Sequence, residues 1–326
     1  MRTDFHVKNE NQTHNLKMAR KAMPSLNERG IAKIEVLHNA KRIDNDEFYT
    51  RYEDVERELS MYPMSIWKNK TVFCNSDDAV DDKSQNTSAF ALYFLRNFNK
   101  LALKQLICTH YSGRVDLFNQ GAKGYVFTKT GFREFYEYTE GYTGSFDHPL
   151  SLKILREEAD IVCTNPPFSK AIDYWRMIIT SGKKFIIVSN IVSAISTAYL
   201  PYFMEHKVWA GYNEVDWFLT PKNELARASG YWFTNIPIKD RPKCKQLKIM
   251  PLNDIPTKCK KYDDNRILLV DNCYIPSDYK NTFAVSTRPI LNGLLEKGYE
   301  IVHDKQYDPP VNGKICFKRV LVKKTT

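Results

Sequence analysis

The four residues best suited to chemistry are Asn165-Pro166-Pro167-Phe168, which follow directly on the apolar run ADIVCT at 159–164. Two consecutive prolines remove two backbone donors and lock φ, so the Asn165 amide and the carbonyls beside it become fixed polar groups. Phe168 adds a flat apolar face next to them. A planar ring that carries an exocyclic amino group needs this combination: acceptors for the amino hydrogens, which steer the nitrogen lone pair, and an aromatic surface for stacking. Asn-Pro-Pro can also close an ordinary tight loop, and it is the position at the end of a buried strand that favours chemistry.

The elements around the loop must supply that position. FYTRYEDVERELSMY (48–62) carries Tyr52, Val55 and Leu59 at helical spacing. A strand TVFC (71–74), the polar turn NSDDAVDDKSQN and an apolar helix SAFALYFLRNFNKLAL come next, then a strand KQLICTHY (104–111). The alternating aromatics of GAKGYVFTKTGFREFYEYTEGYTG predict a β-hairpin. A helix PLSLKILREE, the strand ADIVCT, a helix KAIDYWRMIIT and a buried strand KKFIIVSN complete the alternation. Val/Ile/Phe-rich strands that alternate with helices predict a doubly wound α/β fold with a mostly parallel sheet. Ligands of such sheets bind at the C-terminal strand ends, near the switch in strand order, which points to NSDD, THY and NPPF. The stretch 239–261 breaks the pattern with prolines and lysines, and RILLVDNCYIP, TFAVS and ICFKRVLVKK read as strands of a smaller β-containing part.

Of the 326 residues, 43% are hydrophobic and 48 Lys and Arg stand against 38 Asp and Glu, a net charge of +10 that favours a polyanionic partner. The stretch 185–203 is interrupted by Ser189, Asn190, Ser193, Ser196, Thr197 and Pro201, too polar for a membrane span. The first residues have no apolar core of the secretory kind, so a cytoplasmic location is expected. The seven cysteines include no CxxC or His-containing metal spacing, so reduced thiols and no metal are expected.

NPPF is similar to the catalytic loop of the amino-methyltransferases, and the likeness extends further. DEFYTRYEDVEREL, VFCNSDD, LKQLICTHY, GSFDHPLSLKILREEADIVCTNPPFS, KKFIIVSN, KVWAGYN, GYWFTNI, IPSDY and GKICFKRVLVKK resemble, in order and spacing, the EcoRI-type adenine-N6 DNA methyltransferases. The resemblance implies a Rossmann-like class I methyltransferase, S-adenosylmethionine as cofactor and double-stranded DNA as partner. It implies catalytic roles for Asn165, Pro166 and Phe168. The segment around Phe48, Tyr49 and Thr50 would approach the methionine end of the cofactor, where a hydroxyl suits a carboxylate. Asn75, Asp77 and Asp78 match the cofactor loop, where a carboxylate can pair with the α-ammonium. A solvated acidic turn is the other reading of NSDD. The usual Gly-x-Gly loop and the acidic ribose ligand are absent, and Tyr111 is the substitute for the ribose contact. Phe146 and Asp147 stand where the family has an acidic residue near the cofactor adenine. Pro167, Trp232 and Phe233 would line the target-base pocket, although an aromatic run such as GYWF is also common in cores.

Lys243, Lys245 and Lys248 are candidates for phosphate contacts. The expected layout is a basic arm at 1–44, a catalytic domain at 45–236, and a basic insert with a β-containing part at 237–326 for DNA recognition. The expected reaction is methylation of N6 of a flipped adenine, in a restriction-modification context with or without a cognate nuclease. Cytosine N4, RNA or a protein glutamine as substrate, or a catalytically silent DNA-binding relative, are the alternatives. Cytosine-C5 chemistry would call for a thiolate in a Pro-Cys pair, and the chain has none.

Overall fold

The computed structural model describes residues 48–75, 77, 88–109, 123–136, 144–196, 198–220, 224–238, 247–256, 260–263, 267–270, 274–304, 310–311, 313–315 and 318–325. Its strands β1 (Tyr49–Thr50), β2 (Thr71–Cys74), β3 (Gln105–Thr109), β4 (Lys123–Thr128), β5 (Gly131–Tyr136), β6 (Ile161–Thr164), β7 (Lys184–Asn190), β8 (Trp209–Leu219) and β9 (Leu225–Thr234) form one nine-stranded sheet. The order is β1-β8-β9-β7-β6-β2-β3-β4-β5. Neighbours within β3-β2-β6-β7 run parallel, and every other pairing is antiparallel. The sheet is therefore mixed rather than mostly parallel. One of the five antiparallel pairings has a local cause: β4 and β5 join through Lys129-Thr130 alone, and a connection that short allows only an antiparallel hairpin.

The central strands are apolar on both faces, and alternate residues feed two separate cores. Val72, Cys74, Leu106, Cys108, Ile161, Cys163, Ile186 and Val188 join one cluster with α1 (Tyr52–Leu59) and α2 (Ala89–Asn97). Phe73, Ile107, Val162 and Ile187 join the other, with α3 (Pro149–Glu157) and α4 (Ala171–Thr180). This is the burial pattern of a sheet covered by helices on both sides. Cys163, fully buried, is a small core hydrophobe, and burial pushes its thiol well above the ordinary range. Two short helices, α5 (Ile191–Ala194) and α6 (Leu200–Met204), follow β7.

Helix α1 is tied to β8 by a buried carboxyl group. Glu58 is fully buried. Its carboxylate accepts from the backbone N–H groups of Tyr212 and Asn213 at 2.8 Å each, from Asn213 Nδ2 at 2.8 Å and from the Tyr62 hydroxyl at 3.1 Å. The β8–β9 register slips between Ala210 and Glu214, so these two amides lie in an irregular part of the ladder and the carboxylate takes them up. Gly211 is required there, because a Cβ would run into the Glu58 carboxylate and Trp232 Cβ. A second slip lies between Val215 and Trp217. Bulges bend a strand, and the far end of β8 reaches the loop that follows β6.

The C-terminal part contributes β10 (Lys248–Met250), β11 (Lys260–Lys261), β12 (Leu268–Leu269), β13 (Tyr274–Pro276), β14 (Phe283–Val285), α7 (Thr287–Leu291), β15 (Tyr299–Ile301), β16 (Pro310–Val311), β17 (Lys314–Ile315) and β18 (Val320–Lys324). Five of these strands form a sheet in the order β11-β12-β14-β18-β15. Phe283, Val285, Val320 and Val322 share a core with Phe73 and Val162 of the large sheet, so the two sheets are joined by packing. Among the described residues no helix is long and apolar enough to cross a membrane, and no His/Cys/Asp/Glu group could hold a metal ion.

Candidate active site

The chain runs from β2 to β3 on one side and returns to β6 on the other, so strand order reverses between β2 and β6. Loops leaving the C-terminal ends of two such strands diverge and open a crevice. Asn75 and Asp77 follow β2, and Asn165-Pro166-Pro167-Phe168 follow β6. The two loops are tied at their base, where the buried Thr164 hydroxyl donates to the Asn75 carbonyl at 2.6 Å. Asn75 and Asp77 are themselves buried, Asp77 at 8% exposure. The Asp77 charge reaches Tyr174, whose hydroxyl is pushed well above its ordinary range first by burial and then by that carboxylate.

Asn165 Nδ2 donates to the main-chain carbonyl of Phe48. Phe48 precedes β1, which pairs with the end of β8 through Tyr49 opposite Leu219 and Thr50 opposite Phe218. Three rings close around the contact: Phe48 to Phe168 at 5.9 Å, Phe168 to Phe218 at 5.5 Å and Phe48 to Phe218 at 6.1 Å between centroids. The last two pairs meet edge to face, a favoured arrangement for aromatic rings. Gly230 makes room for Phe218, since a Cβ there would stand 2.6 Å from Phe218 Cζ. Two polar atoms in this region, Asn165 Oδ1 and Thr50 Oγ1, are buried without a hydrogen-bond partner among the described residues. Most buried polar atoms in folded proteins have a partner, so these two are free to accept from a bound molecule.

Residues 36–230 match the family model described as the adenine-specific methyltransferase EcoRI. The chain is 30% identical over 328 residues to the type II methyltransferase M.EcoRI of Escherichia coli, across 89% of this chain and 96% of that protein. The chain belongs to the EcoRI family of adenine-specific methyltransferases. Two further relatives, the type II methyltransferases M.MgeORF184P of Mycoplasma genitalium and M.MpnI of Mycoplasma pneumoniae, are 33% and 31% identical over 175 residues, 54% of this chain and 50% of each relative. No solved structure matches.

Within this adenine-specific methyltransferase, Thr50, Asn75, Asp77, Asn165, Pro166, Pro167 and Phe168 lie in the segments at and around the C-terminal ends of β2 and β6. Trp232 and Phe233 are fully buried in the core on opposite faces of β9, Trp232 against Phe90 and Phe233 against Trp175. Strand alternation sends these adjacent side chains to opposite faces, and here both faces are covered. Phe146 is buried edge-on against Tyr174 at 5.0 Å, with the Lys170 ammonium 5.8 Å from its ring centre. Asp147 is exposed and accepts from the Ser145 hydroxyl. Tyr49 is 46% exposed. Lys248 is exposed on β10 and lies 5.0 Å from the centre of the Tyr274 ring. Asp78, Tyr111, Lys243 and Lys245 lie outside the described residues. Phe218 and Gly230 are the site residues that sequence reasoning missed, although the Gly before an aromatic run in β9 is a signal of close approach.

Proposed function

We propose that this protein transfers a methyl group from S-adenosylmethionine to N6 of an adenine extruded from double-stranded DNA, as a site-specific modification enzyme. The observation that carries the reading is the buried, unpartnered Asn165 Oδ1 beside Phe168 at the crevice between β2 and β6. An amino group paired and stacked inside a duplex is out of reach, so the base must leave the helix, at a few kcal/mol. Phe168 then offers the stacking face. Asn165 Oδ1 and the Pro166 carbonyl accept the amino hydrogens and draw the nitrogen towards tetrahedral geometry, which localises its lone pair.

The residues fit the cofactor. Asp77 would meet its ammonium, the unpartnered Thr50 hydroxyl its carboxylate, and Asn75 the same end, which the burial of all three supports. Tyr49, Asp78, Tyr111, Phe146 and Asp147 are further candidate contacts, the last two from the turn before α3. When bound, S-adenosylmethionine supplies an electrophilic methyl group on a sulfonium, whose positive charge disappears during transfer. The chain's part is differential binding: acceptors that grip the amino group more strongly as its nitrogen becomes positive stabilise the transition state over the ground state. The attacked nitrogen becomes a strong acid after transfer, so no strong general base is required of the loop.

The strand order β3-β2-β6-β7 with helices on both faces is the doubly wound, Rossmann-like arrangement in this reading. Residues 45–236 form the catalytic domain, and the 1–44 arm and 237–326 recognise DNA. Lys243, Lys245 and Lys248 contact phosphates, which sets register without reading sequence. A cytoplasmic enzyme of a restriction-modification system, with or without a cognate nuclease, completes the reading. Asn165→Ala tests it. Cofactor affinity should stay within about threefold while methyl transfer falls by at least ~100-fold, the usual effect of losing a preorganised transition-state contact. Near-normal turnover would contradict it.

A further inference from the structure

A primary amide has one donor edge and one acceptor edge, and the two are nearly the same shape. For methyl transfer to an amino group only one orientation of Asn165 works, because an amide N–H turned towards an amino N–H is repelled. Something in the fold must therefore decide which edge faces the substrate. The Phe48 carbonyl is a pure acceptor, so the edge of Asn165 facing it must be the NH2 group, and Nδ2 donates to it. The acceptor edge is thereby turned elsewhere, to a buried position with no protein donor among the described residues.

The carbonyl is itself held from several directions. The Phe48 ring lies against Phe168 at 5.9 Å and Phe218 at 6.1 Å. The next two residues enter the ladder opposite Leu219 and Phe218. Gly230 leaves the space that Phe218 fills. We propose that Phe48 is a positioning residue for methyl transfer: its main-chain carbonyl orients the Asn165 amide with oxygen towards the target amino group, and its ring anchors that carbonyl. The inference rests on the reading of Asn165 as the catalytic amide. It adds a residue 117 positions away in sequence whose role is to orient that amide.

The test measures single-turnover methylation of target DNA, the KM for DNA, cofactor affinity and the melting midpoint. Phe48→Ala should lower the single-turnover rate by tenfold or more while the KM for DNA changes by less than threefold. Phe48→Leu, which keeps an apolar anchor, should restore the rate to within about threefold. If Phe48→Ala melts below the assay temperature, Phe48→Val carries the same comparison. A carboxylate has no donor edge for the Phe48 carbonyl to accept from, so that carbonyl cannot select its orientation. In an Asn165→Asp background, therefore, the further loss caused by Phe48→Ala should shrink to about twofold. An equal loss in both backgrounds would reduce Phe48 to wall packing and overturn the proposal, as would a Phe48→Ala rate within twofold of wild type. Asn165→Ala, assayed in parallel, separates the two levels of the argument. If it retains turnover, the catalytic reading falls. If it is inactive while Phe48→Ala is normal, only the positioning role falls.

Discussion

The Thr164 hydroxyl donates to the Asn75 carbonyl at 2.6 Å, joining the last residue of β6 to the first residue after β2 where strand order reverses. The loop proposed for the target base and the loop proposed for the cofactor thus share one buried hydrogen bond. Both ends are almost completely removed from solvent, so the bond has no water to replace it.

Thr164→Val keeps the side-chain shape and deletes the donor. It should cost about 1–2 kcal/mol of stability by leaving a buried carbonyl less satisfied. It should also weaken cofactor binding by roughly threefold to tenfold. Thermal unfolding and calorimetry read the two effects separately. Unchanged cofactor affinity would mean that the two loops are set independently.

Two of the candidate acids, Asp77 and Asp147, should behave differently. Asp77, buried at the end of β2, should on conversion to Asn weaken S-adenosylmethionine binding by about tenfold or more. Asp147, exposed and held by Ser145, makes the weaker contact and should on conversion to Ala weaken binding by only about threefold. Calorimetry ranks them, and the reverse order would move the cofactor's ammonium away from β2.

Much of this arrangement was legible before any coordinates. The apolar runs TVFC and IVCT are strands, and NPPF does follow the second. What escaped was contact across long separations. The docking of Phe48 beside Asn165 depends on β1 pairing with the end of a twice-bulged β8, and a bulge leaves no periodic signal. Trp232 and Phe233 read as core more readily than as pocket, and both are buried among core side chains on the two covered sheet faces. The burial of Glu58 left no sequence signal, because its four donors come from elsewhere in the fold or from one helical turn away.

Gly230→Ala should disturb the aromatic cluster at its base. The new methyl would meet Phe218 Cζ at 2.6 Å and push its ring towards Phe168 and Phe48. A stability loss of about 1–3 kcal/mol is expected from this overpacking. A drop in base extrusion, read by a fluorescent base analogue at the target position, should accompany it. Normal extrusion would show that Phe218 does not support the stacking face.

Glu58 makes stability depend on pH. Burial outweighs its hydrogen bonds and pushes its carboxyl from 4.5 up to about 7. Between those values the folded protein binds a proton that the unfolded chain releases, so stability falls as pH rises through the window and levels off above about 7. The slope contributed is at most ~1.4 kcal/mol per pH unit. Chemical denaturation of wild type and Glu58→Ala from pH 5 to 8 isolates this part as the difference between the curves. A difference that grows with pH would show that the four donors outweigh burial and keep the carboxylate charged.

The central claim is a methyl group placed on adenine N6 in DNA, and the product itself tests it most directly. DNA from a methylation-free host that expresses the protein should, on single-molecule sequencing, carry N6-methyladenine at one recurring sequence, and the mark should vanish when Asn165→Ala is expressed instead. Methyl groups on cytosine, or unmodified DNA from a host that makes the folded, cofactor-binding protein, would contradict the account.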